Sequence, residues 1–524
     1  MKYKYYLLAV LFWLSPGFFL TGHTQNIKLD STFGQAGRVI TDHGSFDVCT
    51  DLGIQKDKKI ISCGDILGDS ERFQLIRYLP NGVIDSSFGN AGLAGIQLGN
   101  AGTIAFAIDI QHDDKIVMTG TTADTLDGVS DSDVFVARFL KDGQIDSTFG
   151  QNGAVRFFHQ GWDEKGWAIA EQHQGRIIVG GSQLINTASA SAIFMLDSLG
   201  NPVPTFGVNG MYLDLNTFSA HTIIVRPNGD FIVASQSPGP ETTAFYAFLA
   251  DGQPNPAFGQ NGIAYLDLIP GNNAIERVWS GFFLPDGSLI AGGDFRGFSA
   301  VKIRPDGTID QSFGQNGLCL GEFPGNRYLL SQGGTCLPQA DGKFLITGLL
   351  VDAINDDYGI VRYNANGTLD TSFGDQGWIA NDMTGTQDWC YATLWQDTNQ
   401  LLLGGYSIGN GKVDIGLARY SVHIPTTPPQ DSMDNTTEPI RIQAFPNPSR
   451  GMYSLEYQLE QPGDFMLHVY DSSARRVRTL QWTETVTGVE TTHPLDLLDL
   501  ADGYYVLQVL LQEKQYLFPV IKAN

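Results

Sequence analysis

Leu29-Asp30-Ser31-Thr32-Phe33-Gly34-Gln35-Ala36-Gly37 ends in a Phe-Gly-x-x-Gly phrase that recurs seven times along this 524-residue chain. The phenylalanines are Phe33, Phe88, Phe149, Phe206, Phe258, Phe313 and Phe373, separated by 55, 61, 57, 52, 55 and 60 residues. In every copy the glycine after the ring recurs three positions later, as in Gly150 and Gly153. Near-regular repetition of this kind marks one supersecondary unit copied many times, each unable to bury its apolar face alone.

The second unit shows what is being repeated. Residues 105–111 (AFAIDIQ) alternate small and branched side chains, the pattern of a half-buried strand. His112-Asp113-Asp114 is a tight turn, and residues 115–120 (KIVMTG) form the returning strand. Residues 133–140 (DVFVARFL) predict a third strand, Asp142-Gly143 a turn, and residues 154–157 (AVRF) a fourth strand. Four antiparallel strands per unit of this size make a propeller blade.

Three further sets of positions keep the same register. Gly82, Gly143, Gly200, Gly252, Gly307 and Gly367 each stand six residues before a motif phenylalanine. Asp30, Asp85, Asp146, Asp310 and Asp370 stand three before it, with Val203 and Asn255 in the fourth and fifth copies. A short acceptor there makes an Asx turn; a metal ligand is the other use of such a carboxylate. The phenylalanine would then plug the seam between neighbouring blades. The hairpin positions Lys58, Asp114, Gly175, Gly229, Gly287, Gly342 and Asn399 follow Cys49, Ala105, Gly166, Ala220, Val278, Gly333 and Cys390 by nine residues. Those nearly uniformly small residues suit first strands converging on an axis.

The first motif has no hairpin before it, and the last hairpin has no motif after it. Residues 27–42 are therefore expected to supply the outermost strand of the blade built by residues 389–420, closing the ring and removing a sheet edge. The expected fold is all-β: a seven-bladed β-propeller closed by the N-terminal strand, followed by a small C-terminal β-sandwich. Six or eight blades, or an open solenoid, are the alternatives.

The formal net charge is −24, which repels nucleic acid and anionic lipid and makes neither an expected partner. Lys2 and Lys4, the apolar residues 5–19 and the small or polar residues 21–25 read as a secretory signal peptide over 1–24. Pro16 and Gly17 interrupt a stretch already short for a membrane span, so no integral membrane protein is expected. Five cysteines, an odd number, cannot form a closed disulfide framework and are read as small buried residues.

The xLDxxFGxxG unit resembles the delta-60 family of bacterial repeats. That resemblance implies a propeller over 25–423 and no agreed biochemical activity. Its strand order is also similar to the NHL propeller. After a Pro/Thr-rich linker at 424–439, residues 440–524 resemble the type A sorting domain of the type IX secretion system of Bacteroidota. The resemblance rests on Pro446, Asn447, Pro448 and Gly451, the strand at 465–471 (FMLHVYD), and Gly503 and Tyr504. Ala474 replaces the glycine expected after the Tyr-Asp strand. It implies export across the outer membrane, the type IX machinery as partner, and a secreted or cell-surface location.

No zinc-protease, nucleophile-elbow, phosphate-loop or Cys-x-x-Cys signature occurs. No cofactor is expected. Asp124, Asp127, Asp131 and Asp133 share one loop and are read either as a solvated acidic loop or as calcium ligands. Asp47, Lys165, Trp167, His221, Arg277, Trp279, Gln332 and Trp389 lie on or near first strands. Facing a central funnel, they would bind ligand by stacking and hydrogen bonding; the alternative is that the tryptophans pack between blades. The expected function is a surface-displayed binding module for a protein or glycan ligand. A propeller hydrolase or lyase acting on polysaccharide in the funnel, or a purely structural surface component, are the alternatives.

Replacing Phe149 with alanine is expected to cost about 3–5 kcal/mol if the ring fills a seam. Chemical denaturation measures it, and an unchanged midpoint would put Phe149 on the surface.

Overall fold

Each motif phenylalanine is a point at which one β-sheet grips the next. A computed structural model describes residues 27–422 and 441–522, apart from short internal stretches of which 269–275 is the longest. All seven motif rings are at most 3% exposed. Every element formed by the described residues is a β-strand. No helix among them is long and apolar enough to cross a membrane.

Residues 27–422 form seven antiparallel sheets. The second is representative: Gly102–Ile110, Ile116–Leu126, Val129–Phe139 and Ala154–Phe157 pair in chain order. The sixth divides its first position between Tyr328–Leu329 and Thr335–Pro338, both paired with Phe344–Val351. The seventh takes its outer strand from the start of the chain. Ile27 pairs with Val422, Leu29 with Tyr420, Arg38 with Ala418 and Thr41 with Ile415. Asp388–Asp397, the first strand of the seventh sheet, packs beside Asp47–Ile54, the first strand of the first sheet. Cys49, Leu52, Ala392, Leu402 and Leu417 share one core there.

The repeated glycines have a steric cause. Gly143, in the turn that follows the third strand of the second sheet, lies against Phe88 of the preceding motif. Its φ is +86°, and a Cβ there would come within 2.8 Å of the ring. Only glycine meets both demands. The motif glycine completes the seam, since the Gly150 N–H donates to the Leu199 carbonyl of the third sheet at 2.8 Å. The aspartate three residues before the ring, present in five of the seven copies, makes the expected Asx turn: the Thr148 N–H donates to Asp146 Oδ1 at 3.1 Å, and Asn255 accepts the Ala257 N–H in the same way.

An arginine that the sequence reading did not single out binds the unit together. Arg138 Nε donates to Asp146 Oδ2 at 2.8 Å, and its guanidinium lies 4.6 Å from the Phe149 centroid. Its Nη1 reaches the Ser198 carbonyl of the next sheet at 2.5 Å. Arg77 with Asp85 and Phe88, and Arg362 with Asp370 and Phe373, repeat the arrangement. The chain ends assemble it from distant pieces: Arg419 donates to Asp30 at 3.0 Å and covers Phe33 at 4.6 Å. Where the fourth motif carries Val203, the arginine position holds Met195; where the fifth carries Asn255, it holds Ala247. Lys302 replaces the arginine beside Asp310, with Nζ at 3.2 Å. Cation and carboxylate are kept or lost together, as the cost of burying one charge alone requires.

Cys49, Cys63, Cys319, Cys336 and Cys390 are all free and buried. Burial pushes the Cys49 and Cys390 thiols up to about 12, so they act as small apolar fillers.

In the C-terminal region, Arg441–Phe445, Met452–Gln458 and Glu490–Asp496 form one sheet. Arg476–Glu484, Gly463–Asp471, Gly503–Leu511 and Lys514–Lys522 form another. Tyr453, Leu455 and Leu495 of the first meet Leu467, Val469, Leu507 and Val509 of the second in one core, a two-sheet sandwich. Gly503 and Tyr504 open the strand Gly503–Leu511. Pro446, Asn447, Pro448, Gly451, the signal residues 1–24 and the linker 424–439 lie outside the described residues.

Arg138→Met removes the hydrogen-bonded partner of buried Asp146, leaving only Lys115 at 3.7 Å, and is expected to cost roughly 3 kcal/mol. Adding Asp146→Val should recover most of that loss, because Met195 and Val203 already serve this way in the next unit. A double variant no more resistant to denaturant than the single one would show that the pair is not the reason.

The pairs also set an acid limit. Burial raises the Asp85 carboxyl, but the Ser87 hydrogen bonds and the Arg77 charge outweigh it and bring it to about 2. Asp370 reaches about 2 against burial through Lys343, Ser372 and Arg362. Both values lie below the unfolded carboxylate value of about 4, so this stability is complete above pH ~4 and is lost as pH falls towards 2. Melting temperatures of wild type should drop across that window more steeply than those of Asp85→Asn.

Candidate functional site

The site begins as a backbone irregularity. The first strands of six sheets carry a β-bulge at the same register, between Cys49 and Asp51, Ala105 and Ala107, Gly166 and Ala168, Ala220 and Thr222, Val278 and Ser280, and Cys390 and Ala392. A small residue before the bulge, Val278 excepted, and a glycine on the second strand, replaced by Ser235 in the fourth sheet, make room for it. A Cβ on Gly120 would lie 2.0 Å from the Ile104 carbonyl oxygen, and one on Gly405 would lie 1.7 Å from that of Trp389. The extra residue is unpaired and re-aimed, as bulges commonly do beside binding sites. Those residues are Thr50, Phe106, Trp167, His221, Trp279 and Tyr391.

From the second to the fifth sheet they make a continuous aromatic row. Phe106 stacks on Trp167 with centroids 4.8 Å apart, Trp167 lies 5.2 Å from His221, and His221 meets Trp279 edge-on at 5.1 Å. A cavity of about 530 Å³ opens against Trp167, His221 and Trp279. Its walls add Lys165, Ser219 and Arg277, each two residues before a bulge residue and so on the same strand face. Ser182, Gln236 and Asp163 supply further polar groups.

Polar atoms here are partly committed. Trp167 Nε1 donates to Ser182 Oγ at 3.1 Å, and Arg277 Nε to Gln236 Oε1 at 3.2 Å. His221 Nε2 and Ser219 Oγ are 2.6 Å apart. Trp279 Nε1 is buried without a hydrogen-bond partner. Burial, then the Arg277 charge, pulls His221 down to about 4, so the imidazole is neutral near pH 7. Lys165 Nζ lies 5.6 Å from the Trp167 centroid and the Arg277 guanidinium 5.9 Å from that of Trp279.

Of the eight residues singled out from the sequence, Lys165, Trp167, His221, Arg277 and Trp279 come together in this cavity. Asp47 does not join them. It is fully buried and accepts the His43 N–H at 2.6 Å, holding the loop before the first sheet. Trp389 also stands apart, stacked on Tyr406 at 5.5 Å with its Nε1 donating to Asp356 at 3.2 Å. Gln332 lies outside the described residues. Phe106 and Tyr391 were missed, although each directly follows one of the small first-strand residues.

Acidic groups gather elsewhere. The aspartates read as one loop lie on paired strands instead, Asp124 on Ile116–Leu126 opposite Asp131 on Val129–Phe139, which also carries Asp133. Arg156 bridges Asp124 at 2.6 Å and Asp133, supplying positive charge there. Asp127 lies outside the described residues. Carboxylate oxygens of Asp42, Asp47 and Asp414, and of Asp357, Asp382 and Asp388, lie within 4.8 Å of one another in two further clusters. Lys412 Nζ holds Asp42 at 2.7 Å in the first.

Residues 55–88, 111–149, 284–313 and 339–373 match the family model described as "Domain of unknown function (DUF5122) beta-propeller". Residues 443–522 match the "Secretion system C-terminal sorting domain". No curated protein matches. Similar solved structures include a protein of unknown function from Dyadobacter fermentans, 12% identical over 76% of this chain and 99% of its own, with a TM-score of 0.36. A protein of unknown function from Bacteroides caccae is 11% identical over 58% of this chain and 94% of its own, at 0.26. A polysaccharide lyase is 11% identical over 93% of this chain and 99% of its own, at 0.35. Likeness this slight carries no argument about the site. Four stretches of the chain thus match a β-propeller family model and its C-terminal region matches a secretion sorting domain, which supports export to the cell surface or beyond.

Proposed function

We propose that this protein is a saccharide-binding module, exported by the type IX secretion machinery and held at the cell surface or released. In this reading residues 1–24 are a signal peptide, 25–423 a closed seven-bladed propeller, 424–439 a spacer and 440–524 the sorting domain. The pairing of residues 27–41 with Lys412–Val422, and the packing of the seventh sheet on the first, support a closed ring. The binding role rests on one observation, the aromatic row that six equivalent bulges make available and that the chain concentrates at a single cavity. Aromatic faces flanked by hydrogen-bonding side chains suit a sugar, whose apolar C–H face stacks while its hydroxyls are bonded at the edges.

The lining argues against hydrolase or lyase chemistry. Glycoside hydrolysis commonly needs two carboxyl groups across the scissile bond, and Asp163 is the one carboxylate among the described lining residues. His221, drawn down to about 4, is a weak base for taking a proton from carbon.

Isothermal titration of the mature protein against an array-selected oligosaccharide tests the reading. Trp167→Ala and Trp279→Ala are each expected to weaken binding about tenfold, which is ~1.4 kcal/mol, with no new reducing ends or unsaturated products over time. Undiminished binding by both variants would move the ligand away from the cavity.

A further inference from the structure

We infer that the cavity selects an anionic saccharide, one bearing carboxylate or sulfate groups, and that Lys165 and Arg277 are the residues that select it. The inference rests on the saccharide reading above and adds the charge of the ligand. A chain of net charge −24 has carboxylates to spare for every cation, and most of its buried or half-buried cations are paired: Arg77, Arg138, Arg156, Arg362, Lys302, Lys343 and Arg419 all meet aspartates. Exposed Lys165 and half-buried Arg277, both lining the cavity, do not: among the described residues neither has a carboxylate within ion-pair distance, and Arg277 has only the neutral Gln236 amide. Half-buried Arg176 and Arg226 also meet no carboxylate, but they donate to backbone carbonyls away from the cavity.

Their placement is not scattered. Both occupy the position two before the bulge, in the third and fifth sheets, so each cation stands beside its own indole at 5.6 and 5.9 Å. The fourth sheet, between them, carries the neutral pair Ser219 and His221 at the same two positions. The result is two positive edges flanking an aromatic floor. A neutral imidazole and the Trp279 Nε1 donor, unpartnered among the described residues, add no negative charge. Asp163, the one carboxylate among the described lining residues, pairs with neither cation, so the two positive charges outnumber it. Two unpaired cations facing one cavity repel each other, and a bound anion relieves that repulsion as well as pairing with each. A planar guanidinium also matches a carboxylate or sulfate bidentately, giving orientation as well as charge. A neutral sugar would leave both cations unanswered, which is the physical basis for discrimination.

The test keeps the sugar backbone constant and changes only its charge. The mature protein is titrated with oligogalacturonate, with its fully methyl-esterified form, and with a sulfated oligosaccharide such as a heparin fragment. Binding of the free acid at least tenfold tighter than the ester, weakening with added salt, supports the inference. Sulfated-chain binding of similar strength supports recognition of charge itself, whereas preference for the carboxylate assigns the source. Lys165→Gln and Arg277→Gln should each cost the acid about tenfold and the ester clearly less, without lowering the melting temperature; Arg277→Lys should restore part of the loss, and an equal loss for acid and ester would overturn the charge assignment. Equal binding of acid and ester overturns the inference while leaving the saccharide reading in place. If neither pectic form nor the sulfated chain binds, and neutral oligosaccharides fail as well, both readings fall.

Discussion

The seam between neighbouring sheets depends on a phenylalanine held in place from three sides. Asp146 fixes the turn that presents Phe149, Arg138 covers the ring and reaches across to a carbonyl of the next sheet, and Gly200 of that sheet lies flat against the ring. None of these groups works alone. Without the glycine the turn could not approach, without the arginine the buried aspartate would keep only the more distant Lys115, and without the aspartate the turn would lose its internal acceptor. The same demand, met once per sheet, accounts for the recurrence of an otherwise peculiar phrase.

The unit tolerates substitution only in correlated ways. Met195 with Val203, and Ala247 with Asn255, remove the charge from both partners, while Lys302 beside Asp310 keeps it on both. Buried ion pairs are commonly close to energetic balance against apolar residues of similar volume. The seam can therefore be built either way, but not with half of each. Arg419 and Asp30 show how far this reaches, because the two partners lie at opposite ends of the repeats and meet in the seventh sheet.

Recognition rests on a different feature of the same units. The bulge is a backbone feature accommodated by mostly small first-strand residues and second-strand glycines, and among the described residues it recurs in six of the seven sheets. The residue it displaces takes no part in the ladder and packs instead against its counterparts in neighbouring sheets, as Phe106, Trp167, His221 and Trp279 do. That freedom appears as Thr50, Phe106, Trp167, His221, Trp279 and Tyr391, six different environments at one equivalent position. A repeat that is strict at its seams thus varies at its bulges, and the aromatic row with its two flanking cations is where the variation concentrates.

Periodicity in the chain was enough to find the strands, the turns, the seam phenylalanine and the Asx aspartate, because each is a local rule repeated seven times. Trp167, His221 and Trp279 were also legible, being large polar-aromatic residues beside small ones. The seam arginines were not, since Arg77, Arg138 and Arg362, each eleven residues before its ring, read in a single unit as solvent-facing strand residues; only the packed seam shows that they are buried. Asp47 and Trp389 were misgrouped for the matching reason. Proximity along a strand does not reveal a one-residue bulge, and a bulge decides which side chains face the cavity and which hold a loop. Local chemistry therefore determined the repeating unit, while the partners each charge and ring would meet were decided by how one sheet lies against the next.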